Sequence, residues 1–381
     1  MRRRMLLLVL AGIVVLGLGW VWFVGGADLF PPSGRPAFAG ESKDLKHTQI
    51  VATLDAPMEK GKNVIWCASF QAAWKELQTK LAKGPVKLSG GPDLAEALNR
   101  SYAPGPELPA GAMYATAGWG DQGILQQIDK EVARQFPGSK APTFPGIVPG
   151  SFVAYSRLEA QVQFPLPYFQ GRKPLEFTAS DGTKTPVSCF GLPKEKANAY
   201  EDVHAQARLL YSNREDVQRA EVTGQAEPPR EYVIDLDGES EPSQVIVAMI
   251  PAKATLAETL ASLEKKISAT KGDPYCHSLE SSDVMLVPDV IWKLTHHFKE
   301  LERRTLLNPG LKSQPMDVAQ EDISFRLDRY GATVRAESKM YARGGSTPYL
   351  FDHPFLIVMR KRGETKPYFV MWVENAELLR R

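Results

Sequence analysis

Apolar residues fall along this chain in distinct patterns, and each pattern predicts a different element. Met5–Val24 is a continuous run without charge. As a helix rising about 1.5 Å per residue it spans about 30 Å, the hydrocarbon thickness of a bilayer. Phe70, Ala73, Trp74, Leu77 and Leu81 recur at helical spacing and predict a helix with one face on a core. Leu256, Leu260, Leu263 and Ile267 repeat that stripe behind Thr255 and Glu258, a capping-box pair. Ile124–Gln135 and LTHHFKELERR (294–304) are further helical candidates.

Strands are predicted where the period shortens to two or where short apolar runs stand between turn residues. These are 150–164, a hairpin over 173–190 turning at Asp181-Gly182, and the pair 230–238 and 244–252. Next come 281–294, interrupted at Pro288, and 321–345, read as two strands joined near Asp328–Gly331. The chain closes with Phe355–Met359 and Tyr368–Val373 around the polar turn Arg360–Lys366. Neither closing run alternates, so both faces of each are expected to be covered, as in a core hairpin. Residues 82–148 are punctuated by Pro and Gly and yield little beyond the helix at 124–135. The expected class is α+β, with large, mostly antiparallel β-sheets and helices packed around them.

The flanks of the first apolar run give it an orientation. Arg2, Arg3 and Arg4 precede it, and Trp20, Trp22 and Phe23 sit at its far end. The expectation is a cytoplasmic tail at 1–4, a transmembrane anchor at 5–25 and an exported remainder, periplasmic or extracellular. A cleaved signal peptide, and hence a secreted protein, is the alternative: Ala37-Phe38-Ala39 is a cleavage-like triplet, although it lies well beyond the apolar run. Residues 26–46 read as a linker and 47–381 as one domain, since no repeat and no second composition shift follows.

A net charge of +2, from 46 basic and 44 acidic residues, provides no pull toward nucleic acid. The three cysteines, Cys67, Cys189 and Cys276, are far apart and form no metal framework. His296 and His297, on a helix, would point about 100° apart and not chelate. Asp235, Asp237, Glu239 and Glu241 read as a charged turn without the full calcium-loop pattern. Asn99-Arg100-Ser101 is a formal glycosylation sequon. No nucleophile elbow, phosphate loop or zinc-protease motif occurs, so no catalytic residue, metal or cofactor is assigned and no small-molecule substrate is evident.

Five stretches, in their order, resemble the serpin family. They are NVIWCASFQAAW (63–74), KPLEFTASDGTKTPV (173–187), VIVAMIPAKATLAETLASLEKKI (245–267), DVMLVPDVIWKL (283–294), and ISFRLDRYGATVRAES (323–338) with FDHPFLIVMRKRGETKPYFVMWV (351–373). The resemblance implies a serpin-like fold, a monomer, and a loop before Phe351 that a target protease cleaves. Phe351, His353, Pro354 and Phe355 resemble the family's entry into its final core hairpin. Asn63, Cys67, Phe70 and Glu321 fall where the resemblance places the region that governs sheet opening. There Cys67-Ala68-Ser69-Phe70 replaces the family's Ser-Pro-x-Ser, and Glu321 replaces a histidine. An unpaired carboxylate buried there would be costly, so Glu321 is expected either to have a partner or to lie exposed.

Within the loop, Ala332, Val334, Ala336, Ser338, Met340, Ala342 and Gly344 share one strand parity. The resemblance makes Gly331, Ala332, Val334, Ala336 and Ser338 a hinge, and Arg343–Gly344 the bait for a trypsin-like serine protease. The loop is consumed in one turnover, so no enzyme is expected. An ordinary half-buried strand shows the same alternation. The second reading is a non-inhibitory binding or scaffolding module that kept the fold and lost loop insertion. The short path from Gly331 to Phe351, and the replaced residues near the sheet, favour it.

Overall fold

A computed structural model of the chain describes residues 36–102, 105, 108–137, 142–144, 150–159, 162–193, 201–213, 231–238, 242–273, 276–280, 282–311, 314–330 and 348–381. Its elements in order begin with β1 (Phe38–Glu41), β2 (Thr48–Ile50), β3 (Asn63–Cys67), α1 (Ala68–Glu76), α2 (Asp93–Arg100), β4 (Met113–Trp119), α3 (Ile124–Gln135) and β5 (Phe152–Leu158). Then come β6 (Phe169–Gln170), β7 (Leu175–Thr178), β8 (Lys184–Val187), β9 (Cys189–Leu192), α4 (Glu201–Ala205), β10 (Arg208–Ser212), β11 (Tyr232–Asp235), β12 (Ser243–Met249) and α5 (Leu256–Ala269). The last are β13 (Val284–Pro288), β14 (Val290–His297), β15 (Arg304–Thr305), β16 (Pro315–Met316), β17 (Gln320–Leu327), β18 (Pro348–Leu350), β19 (Phe355–Lys361) and β20 (Pro367–Val373).

The closing hairpin is the centre of the molecule. β19 and β20 pair antiparallel inside a seven-stranded sheet ordered β10-β11-β12-β19-β20-β3-β2. β20 is buried along its whole length and β19 except at Lys361, as their unbroken apolar runs require. Each buried Leu, Ile or Val there contributes about 1.5–3 kcal/mol. The remaining sheets among the described residues are β18-β13-β9-β6, β1-β14-β17, and the pairs β4-β5, β7-β8 and β15-β16. Pairing is antiparallel except at β1/β14, β2/β3 and β13/β18.

The helical stripes behave as expected. Phe70, Trp74, Leu77 and Leu81 are buried together, although the helix widens into a π-helical turn at Leu77–Ala82 that ends on Lys83 at φ 53°. In α5 the Thr255 hydroxyl accepts the Glu258 N–H at 3.1 Å, and the Glu258 carboxylate reaches back to the Ala254 N–H at 3.1 Å. The 173–190 hairpin turns at Gly182, φ 84°, as the Asp-Gly pair demands.

Several expectations are corrected. LTHHFKELERR does not form the expected helix. β14 runs on to His297, pairing residue for residue with β17 from Val290↔Leu327 to His297↔Gln320. Trp292 and Leu294 alternate inward with exposed Lys293, so cross-strand burial overrides helical propensity. The span expected as a linker contains β1, which adds to β14 in parallel with Phe38 opposite Trp292. Asp235 and Asp237 are not on an exposed turn: they are 1% and 0% exposed, and Arg362 pairs with Asp235 at 2.8 Å. No helix among the described residues is long and apolar enough to cross a membrane. The segment expected to do so, 5–25, lies outside them.

Candidate functional site

Burial alternates strictly along β17: Glu321, Ile323, Phe325 and Leu327 face inward, and the residues between them face out. The inward face is apolar except at its first position. Glu321, only 4% exposed, therefore enters a core lined by α1 and β14.

Its carboxylate meets the amino-terminal turn of α1. Oε1 accepts the Ser69 hydroxyl at 2.5 Å and the Phe70 N–H at 3.2 Å. Oε2 is buried with no hydrogen-bond partner among the described residues. Burial pushes the Glu321 carboxyl up to about 7 against the donation from Ser69, Phe70 and the Cys67 thiol, with Asp322 raising it further. Cys67, the residue before α1, lies with Sγ 3.3 Å from the Ser69 hydroxyl, and burial pushes its thiol up to about 12. The thiol is therefore protonated and a poor nucleophile. Phe70 packs on Phe298 with ring centroids 4.2 Å apart.

Ser69 also joins this cluster to a second sheet, because its carbonyl accepts the hydroxyl of Ser156 on β5. β17 belongs to the three-stranded sheet and β5 to the β4-β5 pair, with no ladder between them among the described residues. Through one residue of α1, Ser156–Ser69–Glu321 crosses the seam between these sheets. Sequence reasoning singled out Cys67, Phe70 and Glu321 but missed Ser69 and Ser156. The requirement for a partner to Glu321 was the one signal pointing to Ser69.

Asn63 lies at the far end of β3. Its side chain binds the Glu374 and Asn375 N–H groups at 2.8 and 3.0 Å and donates to Asn375 Oδ1 at 3.0 Å. It fastens the carboxyl-terminal tail to β3, so the structure does not bring it together with the other three residues.

The residues around the loop form a second locus. At the exit of β17, Arg329 is held twice by the backbone of Tyr168: its carbonyl accepts the Tyr168 N–H at 3.1 Å, and its Nε donates to the Tyr168 carbonyl at 2.9 Å. At the return, β18 pairs with β13, and the Tyr232 hydroxyl donates to the Leu350 carbonyl at 2.7 Å. Phe351 is fully buried between Tyr232 (5.1 Å) and Phe355 (5.4 Å). Pro354 is half-buried, and exposed His353 contacts Asp352 at 2.8 Å. Phe-Asp-His-Pro-Phe is thus the corner where the chain leaves the four-stranded sheet for the central one. Gly331, Ala332, Val334, Ala336, Ser338, Arg343 and Gly344 lie outside the described residues.

His296 stands opposite Glu321 on β14, but its Nδ1 is 2.7 Å from the Ser42 hydroxyl, and its ring meets Phe298 edge-on. Burial lowers its pKa and keeps it neutral near pH 7. Cys67, Cys189 and Cys276 form no disulfide among the described residues. Among the described residues no group of three His, Cys, Asp or Glu could hold a metal ion.

No family model and no curated protein matches the sequence. Solved structures do resemble the chain. A thyroxine-binding globulin in complex with thyroxine is 12% identical, with a TM-score of 0.46, over 82% of this chain and 93% of its own. Human glycosylated kallistatin is 13% identical, with a TM-score of 0.45, over 83% of this chain and 92% of its own. Both neighbours are serpins, and the likeness concerns the fold alone.

Proposed function

We propose that this chain is a membrane-anchored, extracytoplasmic protein of the protease-inhibitor kind. In this reading residues 5–25 hold it in the bilayer and the loop 332–350 is a suicide substrate for a trypsin-like serine protease. Arg343–Gly344 is the bait bond, Gly331–Ser338 the hinge, and the protein is consumed without turnover. It acts as a monomer without cofactor or nucleic acid.

The observation that carries this reading is the placing of the loop's two ends. Phe169, Gly191, Leu286 and Leu350 lie in one row across the four-stranded sheet. Tyr168, one residue before β6, shares the next row with Tyr349, and Arg329 sits just outside it. Four strand spacings of about 4.8 Å put Arg329 and Tyr349 roughly 20 Å apart. The chain between them has a contour of about 65 Å, about three times that span, which offsets the shortness of the path from Gly331 to Phe351.

The second reading is a binding or scaffolding module with the same fold and a fixed sheet. The ties on β17, to α1 through Glu321 and to Tyr168 through Arg329, favour it.

One experiment separates the two. The full chain in detergent is incubated with trypsin-like proteases and run on a denaturing gel. A covalent complex supports inhibition; clean clipping without a rise in melting temperature ends that reading. Amino-terminal sequencing tests the anchor. A mature protein beginning after Ala39 would have lost half of β1 and would refute an uncleaved segment.

A further inference from the structure

Among the described residues the charge of Glu321 has no counter-ion. From β14 it faces His296, whose Nδ1 is engaged by Ser42. From β3 and α1 it faces the neutral Cys67 thiol, the Ser69 hydroxyl and the Phe70 amide. From β5 the nearest member of the cluster is uncharged Ser156, acting through Ser69. On β17 itself Asp322 turns outward, to the Thr295 hydroxyl at 2.6 Å. An ionised carboxylate here would keep the Ser69 and Phe70 donors on Oε1 and the neighbouring Cys67 thiol, with no cation among the described residues to balance it. Such a charge is costly, and two events relieve it: the group takes a proton, or water reaches it.

Separation of β17 from the first turn of α1 would let water reach Oε2. That separation breaks Ser69–Glu321, the middle link between the two sheets. We propose that Glu321 is a protonation latch on this seam. With its carboxyl neutral, β17 stays seated on α1 and, through Ser69, on β5; loss of the proton favours a state in which the seam has opened. The latch is independent of whether any protease is bound, and it makes the domain tightest in mildly acidic surroundings.

The test is hydrogen exchange on the full chain in detergent between pH 5 and pH 8, corrected for intrinsic exchange rates. The readouts are amides of 320–327 and 152–158, with those of β19 and β20 as reference. Burial raises the carboxyl to about 7 in the closed state, and in the open state it returns to the ordinary range. The opening constant should then rise almost tenfold per pH unit from about pH 5 to about pH 7, and level off above. Glu321→Gln should hold the seam amides near their low-pH protection throughout. A flat wild-type profile, the same rise in Glu321→Gln, or an equal rise at β19 and β20 would each overturn the latch. Should Glu321→Gln not fold, Ser156→Ala serves. It should loosen 152–158 at every pH and keep the rise at 320–327; loss of that rise overturns the proposal.

Discussion

Asn99 is the first residue of a formal sequon, yet its side chain makes four hydrogen bonds inside the fold. Oδ1 accepts from Trp74 Nε1 at 3.1 Å, Gln78 Nε2 at 2.8 Å and the Val86 N–H at 2.9 Å, and Nδ2 donates to the Val86 carbonyl at 2.9 Å. These bonds tie α2 to α1, to its π-helical extension and to the segment that follows. Trp74, Gln78 and Val86 are 4%, 8% and 2% exposed, so their donors have little recourse to water once Asn99 is gone. At about 1 kcal/mol net per hydrogen bond, the four bonds of Asn99→Ala amount to about 4 kcal/mol. That is a large share of the roughly 5–15 kcal/mol that holds a typical fold together. Ser101→Ala is the control. It destroys the sequon equally but removes one bond, from the Ser101 hydroxyl to the Leu98 carbonyl, about 1 kcal/mol. Denaturant unfolding followed by tryptophan fluorescence measures both. Peptide mass mapping of protein from a glycosylating host should find Asn99 bare. A loss below about 1 kcal/mol for Asn99→Ala, or a glycan on Asn99 in folded protein, would refute the reasoning.

The pair Arg362–Asp235 makes a second prediction. Arg362→Ala leaves Asp235 buried with Gln244 as its remaining side-chain donor, at 2.8 Å. It should cost about 3–5 kcal/mol by thermal or denaturant unfolding; a change near zero would refute a buried, paired carboxylate. The cysteines make a third. Burial pushes Cys67 and Cys189 up to about 12 and about 11, while Cys276 is only half-buried. Iodoacetamide at neutral pH should modify Cys276 first and Cys67 last, read by mass spectrometry; early labelling of Cys67 would contradict its site.

Much of this architecture was legible in the chain. The closing hairpin announced itself because two non-alternating apolar runs around a polar turn can be satisfied only by burial on both faces. The helix stripes, the capping pair Thr255/Glu258 and the Asp-Gly turn were readable because each is a local rule acting over a few residues. The candidate site was half legible. Glu321 stood out because it stands where the resemblance has a histidine, but Ser156 carries no sequence signal at all.

The errors have one cause in common. His296 and His297 look helical until β17 is laid beside them; β1 looks like linker until β14 offers it an edge; Asp235 looks solvated until Arg362 arrives from the final hairpin. Sequence alone determined which segments are apolar, at what period, and where the backbone must turn, since those follow from each residue and its near neighbours. Which strand meets which, and which buried polar group finds a partner, the tertiary structure alone decided. Ser69 and Glu321 are separated by most of the chain, and their hydrogen bond exists only because packing closes that distance.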